Sequence, residues 1–543
     1  MTRLRVGETE ATGCDGSGRH EHPDHRRDGR PVDYSAAMAQ EQGQPSRDPR
    51  LNDVVARARS ALEVADPLGA GLLTGQTPVL PDASLGAQEQ ETRQLQAIAA
   101  ELDAVDGLSS DDELDRSALA HSIRRVLAPT TPRPPLGSVL LERHLLAALA
   151  GLSLAPEPRA EETAALLESA PGFLATSRKG CVGAAAVAGE VALAAAKRLP
   201  QLLDLTAAAA QALPLSPPLR QRIEAALGEL LSAAAEDSGW LLKEFMPAAS
   251  ASGPRLFLEP SGLGLGVDEI ETVAEAMLAD QAGLAIDEAI AGGSRDDASP
   301  PAFPEGTAPR ERAGLAVVAD ACRRAAALCD PWCAEVPGVE FVVEAQPSWL
   351  QPLLPPLSLA PGGPLSVGPI RLLVGDGVAR LSSTELDREL ALVHAAEYLP
   401  ASAQKAEGRL ARLLLPAPES LEGWRAVALA GAPGVGMRSR RELAWRAILA
   451  LVAIALGRGR LEVDEAADLI RAETGMDPDT AQLQAVHVAA QPAAALTFVA
   501  GAVAVGGAIA RIARDRGEAA ARAAILAAGP IPGTSLNGLG YTP

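Results

Sequence analysis

From Leu51 onward, apolar residues recur every three to four positions over most of the chain, the spacing of one buried helix face. A first helix is predicted over LNDVVARARSALEV and stops at the Pro67 and Gly69 region, and a second runs from about Ala87 to Val105. Ser109 or Ser110 is placed to cap a third, whose acids fall in its first turn. Further helical patterns follow from Glu161, over Pro218 to Ala235, over RAGLAVVADACRRAAAL, over Leu443 to Leu456, and over LEVDEAADLI before a Thr474-Gly475-Met476 turn. Two runs, GVEFVVEA and IRLLV, read instead as strands by their β-branched content. Between them QPSWLQPLLPPLSLAPGGP reads as a Pro-rich surface loop.

The pattern predicts a mainly α fold: a large helical bundle with a few β-strands before a central helix in the stretch Leu390 to Gln404. Residues 1–48 hold hardly a large apolar side chain, so disorder is expected there, with Met38 as an alternative start. His20, His22 and His25 in that tail are at most adventitious metal ligands. Residues 49–292 form an N-terminal helical region, 293–310 a Pro- and Gly-rich linker, and 311–543 a C-terminal region continuous with the first body.

Composition narrows the classes. Hydrophobic residues make up 47% of the chain but aromatics only 3%, so the core must be built from Ala, Leu and Val, which suits helices in close approach. A net charge of -21 repels nucleic acid and anionic lipid, and no basic patch with interleaved aromatics offsets it. Ala493 to Ala510 carries no acidic or basic side chain, but its Ala and Gly content reads as a buried helix rather than a membrane span. The polar N-terminus lacks a signal-peptide apolar run, so the chain is expected in the cytoplasm. Cys14, Cys181, Cys322, Cys329 and Cys333 show no paired zinc spacing and read as free thiols, the last three near one face of a helix if it continues past Pro331. The glycines at 262, 264 and 266, and those at 431, 434 and 436, lack the Lys-Ser/Thr and strand context of a phosphate loop. His121 and His144 lie among Leu and Ala and read as structural.

Candidate chemistry gathers in four places: LALVHAAEYLPASAQ from Leu390, Glu422-Gly423-Trp424, PAAALTFVAG from Pro492, and ILAAGPIP from Ile525. Together with the helix-turn-helix LEVDEAADLIRAETGMDPDTAQ, these resemble the C-terminal half of the bacterial domain of unknown function 885 family, a group that looks like helical metallopeptidases. That family carries His-Glu-x-x-Pro-Gly-His-His, then Glu-Gly-Trp-Ala, then Arg-Tyr before Pro-Gly-Gln-Ala-x-x-Tyr-x-x-Gly. The resemblance implies a helical metallopeptidase-like body and places the first metal ligand at His394 and another at Glu422. It also implies erosion. The general base falls on Ala395, the later histidines on Pro400 and Ala401, and the Arg-Tyr pair on His487 and Val488. The Gln and Tyr of the last motif fall on Ala494 and Phe498, and a distal Phe-His pair falls on Ala521 and Arg522.

A zinc hydrolase needs three protein ligands, an open position for water, and a base for that water's proton. Glu397, three residues past His394, or His487 would have to complete a rebuilt set with His394 and Glu422. Zinc is expected only in that case; otherwise no cofactor is called for, and His394 and Glu422 remain as a buried hydrogen-bonded pair. The expected function is therefore that of a catalytically degenerate metallopeptidase-like protein. It would bind a peptide, a metabolite or a partner protein in a cleft lined by Ala395, Pro400, Trp424, Ala494, Phe498 and Arg522. The alternative is an active hydrolase or transferase of small-molecule metabolism that uses a site rebuilt around His394, Glu397, Glu422 and His487. A third expectation is a structural subunit that depends on an active paralogue.

Overall fold

Several helices begin where the sequence supplies a side-chain cap for them. A computed structural model describes residues 5–6, 48–65, 79–127, 137–152, 156–180, 186–247, 264–290, 301–304, 306–333, 341–360, 370–397, 399, 410–414, 417–433, 437–536 and 539. The first helices are α1 (Pro49–Ala65), α2 (Leu85–Ala104) and α3 (Ser110–Leu127), the third capped by the Ser109 hydroxyl, which accepts from the Asp112 amide at 3.2 Å. Then come α4 (Gly137–Leu152), α5 (Pro156–Gly180), α6 (Ala186–Ala212) and α7 (Pro217–Trp240), which runs on as a π-helical turn over Leu241–Phe245. After α8 (Val267–Ile290), α9 (Arg312–Cys333) carries Pro331 in its last turn.

The strands follow. β1 (Arg5–Val6), β2 (Phe341–Ala345), β3 (Leu357–Leu359) and β4 (Ile370–Val374) form one sheet in the order β1-β2-β4-β3. β2 and β4 run parallel, with Phe341 opposite Ile370, and β3 is antiparallel to β4. The sheet leads into α10 (Ser383–Ala396), the central helix expected from sequence. The remainder is helical: α11 (Leu410–Leu413), α12 (Pro418–Gly431), α13 (Met437–Gly457), α14 (Val463–Thr474), α15 (Pro478–Ala490), α16 (Pro492–Arg516), α17 (Glu518–Ala528) and α18 (Gly533–Leu536). Gly475 ends α14 in the left-handed conformation, φ +70°, which glycine adopts without a Cβ clash. The fold is mainly α, with its small sheet just ahead of the central helix.

Three local expectations need correction. Arg5 and Val6 are not disordered: they pair in parallel with Val342 and Val343. The Pro-rich segment is more than a surface loop, because Leu357–Leu359 joins the sheet and Leu350 and Ala360 are buried in a helical core. The second half of the supposed linker is also packed. Phe303 is buried, and Pro301 bridges to Ser382 at the start of the central helix. Gly262 lies outside the described residues, as do Cys14, Cys181 and the tail histidines, while Gly264 takes a positive φ of 72° just ahead of α8.

Two apolar cores meet at α12 and α16. One gathers α9, β2, β4, α10 and α17 around Trp424, Val505 and Ile512. The other gathers α8, α13, α14 and α15 around Leu429, Leu496 and Phe498. A third, built from α4 to α7, is joined to the sheet through Leu373, and a fourth joins α1 to α3 with Ala411 and Leu414. Since α12 and α16 serve two cores at once, they must touch almost backbone to backbone. They do so at Gly423 and Gly501: a Cβ on Gly501 would collide with the Glu419 carbonyl oxygen and stand 2.8 Å from the Gly423 amide nitrogen. The 25 residues of α16 are long and apolar enough to cross a membrane by length and composition, and here Leu496 to Gly501 lie buried within the bundle.

Gly501→Ala should therefore cost about 2–3 kcal/mol through overpacking. Gly506→Ala in the same helix has nothing within 4 Å of its new methyl. It should be neutral or stabilising by up to ~1 kcal/mol, from propensity alone. Urea denaturation of both variants checks this, and equal effects would remove the crossing from its place in the fold.

Candidate functional site

The central helix starts at a reciprocal capping box between Ser382 and Glu385, then buries one stripe, Leu386, Leu390, Ala391, His394 and Ala395. His394 is only 1% exposed. Its Nε2 lies 3.1 Å from Asp330 Oδ1, in hydrogen-bond contact, and its ring faces Phe341 of β2 at 5.4 Å. Asp330 sits in the last turn of α9, where the Cys329 thiol also donates to the Ala391 carbonyl at 3.4 Å. The end of α9 is thus closed onto the central helix. Cys322, Cys329 and Cys333 are free and buried, as expected, and burial pushes the first two thiols up to about 12. Such thiols remain protonated near neutral pH and are poor nucleophiles.

Trp424 fills the space beside His394's helix. It is wholly buried, its indole N–H donates to the Ala395 carbonyl at 2.8 Å, and its ring lies 5.6 Å from that of Trp332. Arg522 stacks over Trp332 at 4.9 Å and donates from Nε to the Trp332 carbonyl at 2.7 Å. Ala395, Trp424 and Arg522 therefore do converge, but around a tryptophan and not around an open cleft. Phe498 is buried in the core on the other side of α12, with the Arg446 guanidinium 5.5 Å above its ring. Ala494 is exposed, while Pro400 and Ala401 lie outside the described residues. The expected cleft lining is thus split between two cores and the surface.

The four reactive candidates are not brought together as a set. Glu397 is the residue that ends the central helix; burial pushes its carboxyl up to about 7, against the pull of the Arg425 guanidinium. Glu422 lies on the same helix as Arg425, and its Oε2 is buried without a hydrogen-bond partner among the described residues. His487 stands elsewhere. Burial pushes it down, and its charged neighbours are Arg198, Glu142 and Arg143 of α4 and α6 rather than Asp330. The His394–Glu422 hydrogen bond expected from sequence is likewise replaced by His394–Asp330. Among the described residues, no group of three His, Cys, Asp or Glu side chains is placed to hold a metal ion.

Sequence reasoning missed Asp330 and Trp332, which lie outside every motif. The only signal for them was the Asp-Pro-Trp-Cys run that continues an amphipathic helix past its proline. It also missed a charged cluster between α3 and α12. There His121 Nε2 is 3.1 Å from Glu419 Oε1, and Arg125 lies one turn further along α3. His144, by contrast, is structural as expected, with Nδ1 2.7 Å from the Leu140 carbonyl.

No protein-family model matches the chain, and neither does any curated protein. Solved structures do match. The crystal structure of a candidate lipoprotein from Colwellia psychrerythraea aligns with a TM-score of 0.70 at 13% identity, over 91% of this chain and 98% of that one. A candidate lipoprotein of unknown function from Shewanella oneidensis aligns with a TM-score of 0.62 at 12% identity, over 90% of this chain and 99% of the other. Such likeness establishes a shared fold over nearly the whole length and nothing further.

The raised Glu397 carboxyl gives a pH signature. Its folded-state value lies above the ordinary 4.5, so the native state holds the proton after the unfolded chain has released it. Glu397 accordingly lowers stability as pH rises from about 4.5 to about 7. Glu397→Gln should match the wild type near pH 4.5 and exceed it by about 1 kcal/mol above pH 7, once partial solvent screening is allowed for. Thermal melts across that range check the gap, and a constant difference would show that the carboxyl is not desolvated.

Proposed function

We propose that this chain is a catalytically degenerate metallopeptidase-like protein that binds a peptide, a metabolite or a protein partner near the former active site. The observation that carries the reading is the pairing of His394 with Asp330. The side chain at the first-ligand position is committed to a carboxylate on α9. The resemblance to the domain of unknown function 885 family supplies the rest. Scaffold residues such as Gly423 and Trp424 are kept, while the general base position is Ala395 and the positions of the later histidines hold Pro400 and Ala401. Losing a general base alone costs about 10²- to 10⁴-fold in rate, and losing the ligand set removes the Lewis acid as well.

A second reading, an active hydrolase or transferase with a rebuilt site, draws its support from Glu397, whose carboxyl at about 7 is poised for proton transfer near neutral pH. The version of it that needs His487 is weakened by the separate neighbours of that histidine.

Protein purified without added metal should contain clearly substoichiometric zinc and should cleave no peptide, with His394→Ala changing neither result. Elemental analysis and a peptide-library digest decide it. One zinc per chain, lost together with peptide cleavage in His394→Ala, would overturn the degenerate reading in favour of a working enzyme.

A further inference from the structure

Between α3 and α12 lies a set of charges largely withdrawn from solvent. Glu419, in the first turn of α12, is 1% exposed. Its Oε1 is engaged by His121 Nε2 at 3.1 Å and by the Gly533 amide at 3.4 Å. Its Oε2 is sealed from solvent with no hydrogen-bond partner among the described residues. The same is true of Arg125 Nη1, on the next turn of α3 from His121 and close enough to Glu419 for the two charges to interact. It is true again of Glu422 Oε2, three residues along α12 and so on the face that carries Glu419. A buried polar atom left unpaired is costly, and neighbouring unpaired atoms of opposite charge are best satisfied by one group that bonds both.

The lining selects the chemistry of that group. A metal cation is disfavoured by the Arg125 guanidinium, and a phosphate or sulfate by two carboxylates. What complements two acceptor oxygens and one donor nitrogen is an ammonium group close to a carboxylate. The ammonium brings three donors to the Glu oxygens, and the carboxylate accepts from Arg125. We infer that Arg125, Glu419 and Glu422 form a binding site for the zwitterionic end of a free α-amino acid, between α3 and α12. The His121 contact fixes the Glu419 carboxylate so that its second oxygen faces the ligand, and the 529–533 turn closes over it through the Gly533 amide and the Ser420 hydroxyl, which donates to the Ile531 carbonyl.

Burial by itself, the largest single influence, pushes the Glu419 carboxyl up, but hydrogen bonds from His121 and the backbone, with the attraction of His121 and Arg125, together outweigh it and leave the group below its usual range. Glu419 is therefore charged near neutral pH, as an ammonium-binding group must be. This inference rests on the degenerate reading in one respect, that Glu422 is no longer a metal ligand. The two fail separately. Stoichiometric zinc in the sample refutes the reading, whereas a zinc-free sample that binds no amino acid refutes the site.

The experiment is isothermal titration of the full chain with the common L-amino acids, and with glycinamide and N-acetylglycine as probes lacking one charge each. At least one amino acid should bind, and Arg125→Met and Glu419→Gln should each weaken it by about tenfold or more. The two single-charge probes should fail to bind. Should Glu419→Gln unfold, Arg125→Met decides the matter, because Arg125 Nη1 has no hydrogen-bond partner to lose among the described residues. Absence of binding by every amino acid, equal affinity in Arg125→Met, or a crystal structure with only an ordered water between Arg125 and Glu419 would overturn the site.

Discussion

The backbone crossing of α12 and α16 at Gly423 and Gly501 is the contact on which the C-terminal half depends. One face of this helix pair supports the core of α9, the sheet and α10, and the other supports the core of α13 to α15. Any side chain at the crossing would push the two helices apart and loosen both cores together. With so few aromatics in the chain, the interior is made of Ala, Leu and Val, which fill space only when helices come this close. The one indole fully buried near the crossing, Trp424, is anchored by its hydrogen bond to the central helix.

The same constraint bears on the residues that carry the resemblance to the domain of unknown function 885 family. Gly423, Trp424 and Gly501 match its pattern, and all three are held by packing. Around them Ala395 and Phe498 are buried among apolar neighbours. Trp332 stacks against Trp424, Arg522 covers Trp332, and His394 turns to Asp330. Packing and chemistry thus separate cleanly along a single helix. In the proposed account, Glu419 and Glu422 are the charged groups of α12 that keep a binding role after hydrolysis is gone.

Much of the helical fold was legible because local signals agreed with it. Ser109 caps a helix and Gly475 ends one, as the sequence places them. β3 was not legible: Leu357–Leu359 is three residues in a Pro-rich run, and only pairing with β4 makes it a strand. Arg5 and Val6 were missed for the same reason, since their partner strand lies more than three hundred residues away. The candidate site was less legible than the fold. The burial of His394 followed from its place on an apolar stripe, but its partner is 64 residues distant, on a helix with no motif. The His121–Glu419 pair joins two helices whose sequences show no sign of each other. Periodicity reports which face of a helix is buried, not which charge on another helix it meets.

The central claim is that His394 serves the fold through Asp330 instead of holding a metal. A double-mutant cycle of His394→Ala and Asp330→Ala, read by urea denaturation with and without added zinc, tests it most directly. The account predicts a coupling of about 1 kcal/mol that zinc leaves unchanged. A coupling near zero, with a large stabilisation by zinc that His394→Ala abolishes and Asp330→Ala spares, would contradict it.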